Sequence, residues 1–434
     1  MKKKVSFHTL GCKLNFSESS TLARRFTEGG YERVAAGQQS DIIVVNTCSV
    51  TDHADKKCRN LIRRLHKNNP SALVVVTGCY AQLKAEEIAA IDGVDLVVGN
   101  NGKGSLFELA DRLAARRGDT EIHTCAASEL TSFFASFSTG DRTRSFLKVQ
   151  DGCDYRCSYC TIPLARGSSR NIPVADLVRE AETIAASGCR EIVLTGVNIG
   201  DFGRTTGESF ADLLRGFDGV KGIERYRISS IEPNLLTDEI LELTGRSDKF
   251  MPHFHIPLQS GCDKILALMR RRYNTAMFAR KIERVKELFP DVFIGIDVIV
   301  GFPGETEEDF EITYRFLEKL EPAFLHIFPY SMRADTDAIL FDGKVSPKES
   351  ERRVARLAGL SSRLHRSFAE RFVGRTATVL VEGTRKGGEM FGYTENYIRC
   401  RMPYRKGCIG EIVPVRIESV DDDGSATVRC MDSL

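Results

Sequence analysis

Three cysteines, Cys153, Cys157 and Cys160, fall in the stretch DGCDYRCSYCT (Asp151–Thr161) with the spacing CxxxCxxC. A [4Fe–4S] cube has four irons and normally takes four thiolates. A loop that supplies three leaves one iron open to a small chelating molecule. A structural zinc site closes its tetrahedron with four ligands, usually from CxxC pairs. Here the next cysteine is Cys189, and no histidine falls in the loop. Three incidental cysteines, or a zinc knuckle completed from a distant ligand, are the alternatives the spacing leaves open.

A second set of thiols depends on the elements around it. In the first third, Val5–Thr9, Ile42–Asn46, Leu73–Thr77 and Leu96–Val98 read as buried parallel strands. Ser17–Glu28, Asp52–Lys67, Lys84–Ile91 and Ser105–Arg116 read as the helices between and after them, a doubly wound α/β pattern. Cys12 (TLGCK), Cys48 (NTCSV) and Cys79 (TGCYA) each lie just past a strand's carboxyl end. Ligands bind at that edge of an open α/β sheet, so the three thiols are expected to converge as a second three-thiolate metal site. Cys58, Cys125, Cys189 and Cys262 match no ligand position and read as packing residues. Gly99–Ser105, GNNGKGS, lacks the spacing of a phosphate loop and reads as a helix-entry turn.

After a Ser/Thr-rich connector the βα rhythm resumes. Phe146–Gln150, Glu191–Thr195, Arg225–Ser229, Phe254–Pro257, Val292–Val300 and Phe324–Pro329 alternate with helical segments. Six such units suggest an incomplete TIM-like (β/α)6 barrel with chemistry at the strands' carboxyl ends. The CxxxCxxC loop follows the first strand, which is that edge. Polar groups at the other strand ends are Thr195 and Asn198, then Ser230 and Glu232, then Gln259. Asp297 lies within the fifth strand, and Gly301 and Gly304 at its end would let backbone approach a ligand. By pattern alone each can be an ordinary turn. His253 and His255 read as barrel interior, and Arg270–Arg272 as a phosphate contact or a solvated cluster.

Past the last long helix, five short alternating strands with Gly-rich turns suggest a small OB-like barrel. Tyr393, Tyr397 and Tyr404 are interleaved with Arg399, Arg401, Arg405 and Lys406, a pattern suited to RNA binding by stacking and backbone contact. A structural cap is the alternative. Cys400, Cys408 and Cys430 read as buried residues.

The totals agree with an ordinary globular protein: 434 residues, 28% charged and 42% hydrophobic, with thirteen cysteines. No apolar run reaches about 18 residues, so a cytoplasmic protein with no membrane partner is expected. Thiols in that compartment favour metal or redox chemistry over disulfides. Net charge is +2, yet residues 344–375 concentrate nine Lys/Arg against three Glu on one expected helix. A solvated helix face is the plain explanation.

The CxxxCxxC loop, with Tyr159 just before its last cysteine, resembles the signature of the radical S-adenosylmethionine (SAM) enzymes. Two trithiolate sets in this order, with TLGCKLNFSES, NTCSVT and VTGCYAQ, resemble the radical methylthiotransferases, and the C-terminal segment resembles the TRAM domain. The resemblance implies an N-terminal domain over 1–116, a radical SAM core over 139–370 and a TRAM-like RNA-binding domain over 372–434. It implies two [4Fe–4S] clusters and SAM as both methyl donor and radical source. An external one-electron reductant, such as a flavodoxin or ferredoxin, is also implied. Cys153, Cys157 and Cys160 would act catalytically at one cluster, with Cys12, Cys48 and Cys79 at the other. The strand-end residues Thr195, Asn198, Ser230, Glu232, Gln259, Asp297, Gly301 and Gly304 would hold SAM. Thr195-Gly196-Val197-Asn198 departs from the Gly-Gly-Glu often found there. The implied reaction replaces C2–H of a modified adenosine in tRNA by C–SCH₃. TLGCKLN, with Lys13, resembles the subgroup acting on N6-threonylcarbamoyladenosine at position 37 of the anticodon loop. Relatives acting on N6-isopentenyladenosine tend to carry Gln-Met at Lys13-Leu14. Those acting on a ribosomal protein share the three-part plan. A non-catalytic iron–sulfur RNA-binding regulator and a zinc-dependent RNA-modifying enzyme are the readings from other classes. Oligomeric state is not legible.

Overall fold

Consecutive Val and Ile bury both faces of a sheet, and the apolar runs of the first third do so. The computed structural model describes residues 2–115 and 118–431. Its first sheet contains β1 (Lys4–Thr9), β2 (Glu32–Val34), β3 (Ile42–Thr47), β4 (Leu73–Gly78), β5 (Val94–Val98) and β6 (Glu121–His123). All pair in parallel in the order β2-β1-β3-β4-β5-β6. Val44 and Val75 face Leu22, Phe26 and Leu106 on one side. Their neighbours Ile43, Val45, Val74 and Val76 face Ile62, Leu65 and Ile88 on the other. The sheet is therefore doubly wound, and its strand order reverses between β1 and β3.

Two features depart from the expected pattern. β2 and β6 are three-residue edge strands without an apolar run; backbone pairing to a formed neighbour creates them. β6 carries this sheet to His123, past the expected boundary at 116. The preceding helix runs Leu106–Ala115, and Arg116 lies outside the described residues. The first helix begins at Lys13 rather than Ser17.

The second unit contains β7 (Ser145–Lys148), β8 (Glu191–Thr195), β9 (Arg225–Ile228), β10 (His253–His255), β11 (Phe293–Val300) and β12 (Phe324–Pro329). β7-β8-β9 and β10-β11-β12 pair in parallel. Bridges Tyr226–Phe250 and Ser230–His255 join the halves into one curved, six-stranded sheet. No pairing closes β12 onto β7 among the described residues, and the N-terminal unit reaches both free edges. At β7, Phe16 packs edge-on against Phe146 with ring centroids 5.6 Å apart. Beyond β12, Arg333 donates to Ser49 Oγ at 2.7 Å and pairs with Asp55 at 2.9 Å.

The basic helix Pro347–Glu370 packs along β12, where Ser361 Oγ accepts the Leu325 amide. Its charge is spent within the fold. Arg352 pairs with Glu307, Arg353 with Glu305 and Arg356 with Glu311.

The third unit is a closed barrel of β13 (Thr376–Lys386), β14 (Glu389–Thr394), β15 (Arg399–Pro403), β16 (Ile412–Val420) and β17 (Ala426–Cys430), in the order β13-β14-β15-β17-β16. Two buried arginines of β9 fasten it to the central unit. Arg225 donates to Thr378 O at 2.9 Å and Tyr393 O at 3.2 Å, and Arg227 to Thr394 O at 2.7 Å and Glu395 O at 2.8 Å. Glu191, fully buried, is the shared counter-charge, 2.8 Å from Arg227, 3.8 Å from Arg225 and 3.9 Å from Arg144. Burial alone would raise its pKa, but Arg227 and Arg144 outweigh it and hold the carboxyl below its usual range. Its stabilising contribution is therefore complete at neutral pH and is lost only as pH falls through that lowered value. Glu191→Gln should cost about 3–5 kcal/mol by leaving buried arginines uncompensated. The loss should appear as faster hydrogen exchange at Thr378, Thr394 and Glu395, with protection of β3 and β4 unchanged.

Candidate active site

The N-terminal thiols meet at the switch point of the first sheet. Cys12 precedes the helix Lys13–Glu28, Cys48 follows β3, and Cys79 opens the helix Cys79–Leu83. Asn15 laces the strand ends together, its amide donating to Leu10 O and Thr47 O, both at 2.8 Å. Gly78 sits at φ +102°, where an added Cβ would fall 2.3 Å from Thr47 O. Only glycine permits this approach. The three thiols lie within electrostatic reach of one another. Burial, with smaller contributions from Cys79 and Cys12, pushes the Cys48 thiol up to about 12.

Beside them lies a buried charge cluster. Arg166 donates to Cys79 Sγ at 3.3 Å, Glu18 at 3.0 Å, Asp151 at 2.9 Å and Asn15 Oδ1 at 2.8 Å. Lys103 also pairs with Glu18, Lys148 with both carboxylates, and Arg170 with Asp151. Four cations thus face two carboxylates, all buried. The surplus positive charge adjoins Cys79, as a thiolate-bound anionic centre requires. Nothing in the sequence marked Glu18, Lys103 or Arg166. Lys103 belongs to the GNNGKGS turn, which does lead into a helix.

The CxxxCxxC loop is held from several sides. Cys153 N donates to Gly167 O at 3.0 Å, and Ser158 Oγ donates to Leu268 O at 2.8 Å. Arg271 donates to Cys157 Sγ at 3.0 Å and also pairs with Glu232. Arg271 comes from the Arg270–Arg272 cluster, whose run of three cations was its only sequence mark. Burial pushes the Cys153 and Cys160 thiols up to about 12. As bare thiols they stay protonated at neutral pH, and metal binding must displace the protons. Each set supplies three thiols, the donor number that leaves one iron of a [4Fe–4S] cube open.

A cavity of about 270 Å³ lies beside Cys160, lined by Cys160, Gln259, Asp297 and Tyr330 from the central unit and by Val50 and Thr51 from the loop after Cys48. Gln259 reaches it at φ +69°. Asp297 lies 2.7 Å from His255 Nε2, a carboxylate partner the sequence did not show, and His255, Asp297 and His326 bring donor atoms within 4.8 Å of one another. At the end of β8, Asn198 is buried and both its side-chain polar atoms lack a protein partner; the same holds for Ser229 Oγ, next to Ser230. These unspent groups suit a polar cofactor. Burial raises the pKa of Glu232 despite Arg271. Thr195 instead donates its hydroxyl to Val193 O at 3.2 Å. Gly301 and Gly304 serve the fold rather than an open approach. A Cβ on Gly301 would meet Ser350 Oγ at 2.2 Å, and Gly304 N donates to Gly343 O at 2.9 Å.

On the C-terminal barrel, Arg405 and Lys406 are exposed without ion pairs among the described residues. Arg401 is paired with Asp421 at 3.0 Å, and Arg399 lies over Phe391 at 4.9 Å. Tyr393 and Tyr397 do not face outward. They stack at 4.7 Å and turn to the central unit, where Tyr397 meets the His253 ring at 4.3 Å.

Residues 4–99 match the Uncharacterized protein family UPF0004, residues 147–317 the Radical SAM superfamily, and residues 370–426 the TRAM domain. The threonylcarbamoyladenosine tRNA methylthiotransferase MtaB of Bacillus subtilis (strain 168) is 41% identical over 95% of this chain and 93% of its own. Its namesake in Aquifex aeolicus (strain VF5) is 37% identical over 95% and 100%. The chain belongs to the radical SAM tRNA methylthiotransferases. The tRNA-2-methylthio-N(6)-dimethylallyladenosine synthase of Sphingopyxis alaskensis is 36% identical over 95% of each chain. The radical SAM methyltransferase TsrM of Kitasatospora setae shares the fold, with a TM-score of 0.57 at 15% identity, over 75% of this chain and 73% of that one. SAM and iron–sulfur are the cofactors of this methylthiotransferase. No helix among the described residues is long and apolar enough to cross a membrane.

Arg166→Gln removes a donor that joins both units and leaves buried acceptors on Glu18, Asp151 and Asn15 without their hydrogen bonds. It should cost about 3–5 kcal/mol in urea unfolding. Arg166→Lys should recover only part of this, since an ammonium cannot reproduce the planar fork.

Proposed function

We propose that this methylthiotransferase converts N6-threonylcarbamoyladenosine at position 37 of the tRNA anticodon loop to its 2-methylthio derivative. The observation that carries the reading is the cavity shared by the two units, with Cys160 on one wall and the loop after Cys48 on the other. A nucleobase held there would touch Cys160 and the loop that follows Cys48. The relatives named for this substrate, at 41% and 37% identity, support the choice of adenosine. Cys153, Cys157 and Cys160 would hold the cluster that, with SAM, would supply radical chemistry, and Cys12, Cys48 and Cys79 would hold a second [4Fe–4S] cluster that would supply the sulfur. Radical chemistry suits the target, because no side-chain base can deprotonate an aromatic C2–H at neutral pH.

The chain's own residues set the geometry. Arg271 positions Cys157 and Glu232, and Arg166 positions Cys79 against the barrel. Asn198, Ser230, Glu232, Gln259 and Asp297 line the strand ends where SAM would sit. Arg405 and Lys406, with Arg399 at the barrel surface, would meet RNA phosphates; Arg401 contributes less because Asp421 already pairs with it. The cytoplasm supplies tRNA and an electron-donor protein of the flavodoxin or ferredoxin kind.

The test is mass spectrometry of nucleosides from tRNA incubated with anaerobically reconstituted, reduced enzyme and SAM. The expected product is 2-methylthio-N6-threonylcarbamoyladenosine; methylthiolation of dimethylallyladenosine instead would reassign the substrate. Cys157→Ala should abolish 5′-deoxyadenosine formation. Cys48→Ala should stop thiolation while some uncoupled SAM cleavage persists, and full thiolation by that variant would refute the second site.

A further inference from the structure

A second cavity, of about 410 Å³, reaches Cys12. Lys13, Arg142, Arg144 and Arg227 converge on it, and Tyr393 and Tyr397 of the C-terminal barrel close it. Arg142 and Arg144 also line a groove of about 800 Å³ that leads outward between the central and C-terminal units. The recess is therefore reachable from the surface and ends at a cysteine of the N-terminal trio.

Its charges do not balance. Arg227 is neutralised by Glu191 and spends its remaining donors on carbonyls of the C-terminal barrel. Arg144 divides itself between Glu382 at 2.9 Å and Glu191 at 3.9 Å. Lys13 and Arg142 have no ion pair or hydrogen bond among the described residues. Arg142 rests on the ring of Phe16 at 4.6 Å. Four cations thus share two carboxylates, inside a recess walled also by Phe16, Phe146, Val193 and Ile228, with Thr9 and His253 as further polar neighbours. A low-dielectric recess with surplus positive charge selects an anion, and Arg binds carboxylates through paired donors.

The two kinds of relatives differ in that chemistry. A threonylcarbamoyl substituent ends in a carboxylate, whereas a dimethylallyl group has no charge at all. We propose that the recess at Lys13, Arg142, Arg144 and Arg227 seats the carboxylate of the substrate's N6 substituent, making the C-terminal barrel a wall of the specificity pocket through Tyr393 and Tyr397. This rests on the methylthiolation reading and adds the residues that choose the adenosine. Lys13 and Arg142 are the two cations free to bind. Arg144 and Arg227 position the recess and bias its potential.

The test measures binding of anticodon stem-loop RNA to anaerobic holoenzyme by fluorescence anisotropy. Position 37 carries N6-threonylcarbamoyladenosine, its carboxyl methyl ester, or plain adenosine. The acid should bind wild-type enzyme about ten- to hundredfold more tightly than the ester, the range expected for hydrogen bonds to a charged group. The double variant Lys13→Gln, Arg142→Gln should lose that factor on the acid and nothing on the ester or plain RNA. Equal weakening of all three RNAs would overturn the proposal and assign the cations to phosphates. An unchanged preference for the acid would overturn it as well. Arg142→Gln alone carries the test if Lys13→Gln, beside Cys12, lowers iron content. An acid bound through these cations but never methylthiolated would refute the reaction while leaving the recess in place.

Discussion

Arg166 sits where the two sulfur-bearing units touch, and its guanidinium binds Cys79, Glu18, Asp151 and Asn15 at once. Asp151 lies two residues before Cys153, and Arg166 six residues after Cys160. The same charge cluster therefore anchors the stem of the CxxxCxxC loop and one ligand position of the N-terminal trio. Buried ion pairs are poor net stabilisers, because desolvation takes back much of the attraction. Their value here is geometric. A shift of either unit would strand charges without partners, so the relative placement of the two cysteine sets is narrowly defined.

The open barrel is completed from outside. Six parallel strands leave β7 and β12 unpaired with one another, and the N-terminal unit covers both edges through Phe16 at one and Arg333, Ser49 and Asp55 at the other. This docking creates the cavity between Cys160 and the loop after Cys48. A closed barrel would have no such shared space. The C-terminal barrel is held just as firmly, by Arg225 and Arg227 with Glu191 beneath them. It is an RNA-binding appendage by family, and it also supplies the two tyrosines that wall the cationic recess.

Much of this was legible from residue order. Burial on both faces forces a continuous apolar run, which marked four of the six N-terminal strands; the six barrel strands were marked by the continuing βα rhythm, although β9 reads RYRI and β10 HFH. The edge strands β2 and β6 left no such mark. The cysteines were legible by position, since each followed a strand and strand ends gather at one edge. Gly301 and Gly304 read as openings for a ligand but are filled by Ser350 and Gly343, which a local pattern cannot reveal. The basic run at 344–375 read as a solvated face, and Arg352, Arg363 and Arg366 are exposed; Glu305, Glu307 and Glu311 on a neighbouring segment pair with three of its arginines.

Residue types and spacing marked two sets of three thiols and the order of the three units, because those depend on local periodicity and on where strands end; the class of chemistry came from the resemblance of those motifs to a family. Tertiary structure settled which charges meet. Glu18 and Arg166 lie 148 residues apart, and Lys13 shares a recess with Arg227 and Tyr397 from the two other units. Charge pairing follows from distance in space, and sequence separation carries no information about it. The partners of Cys79, the inward turn of the tyrosines and the site of surplus positive charge therefore emerged only when the units were packed together.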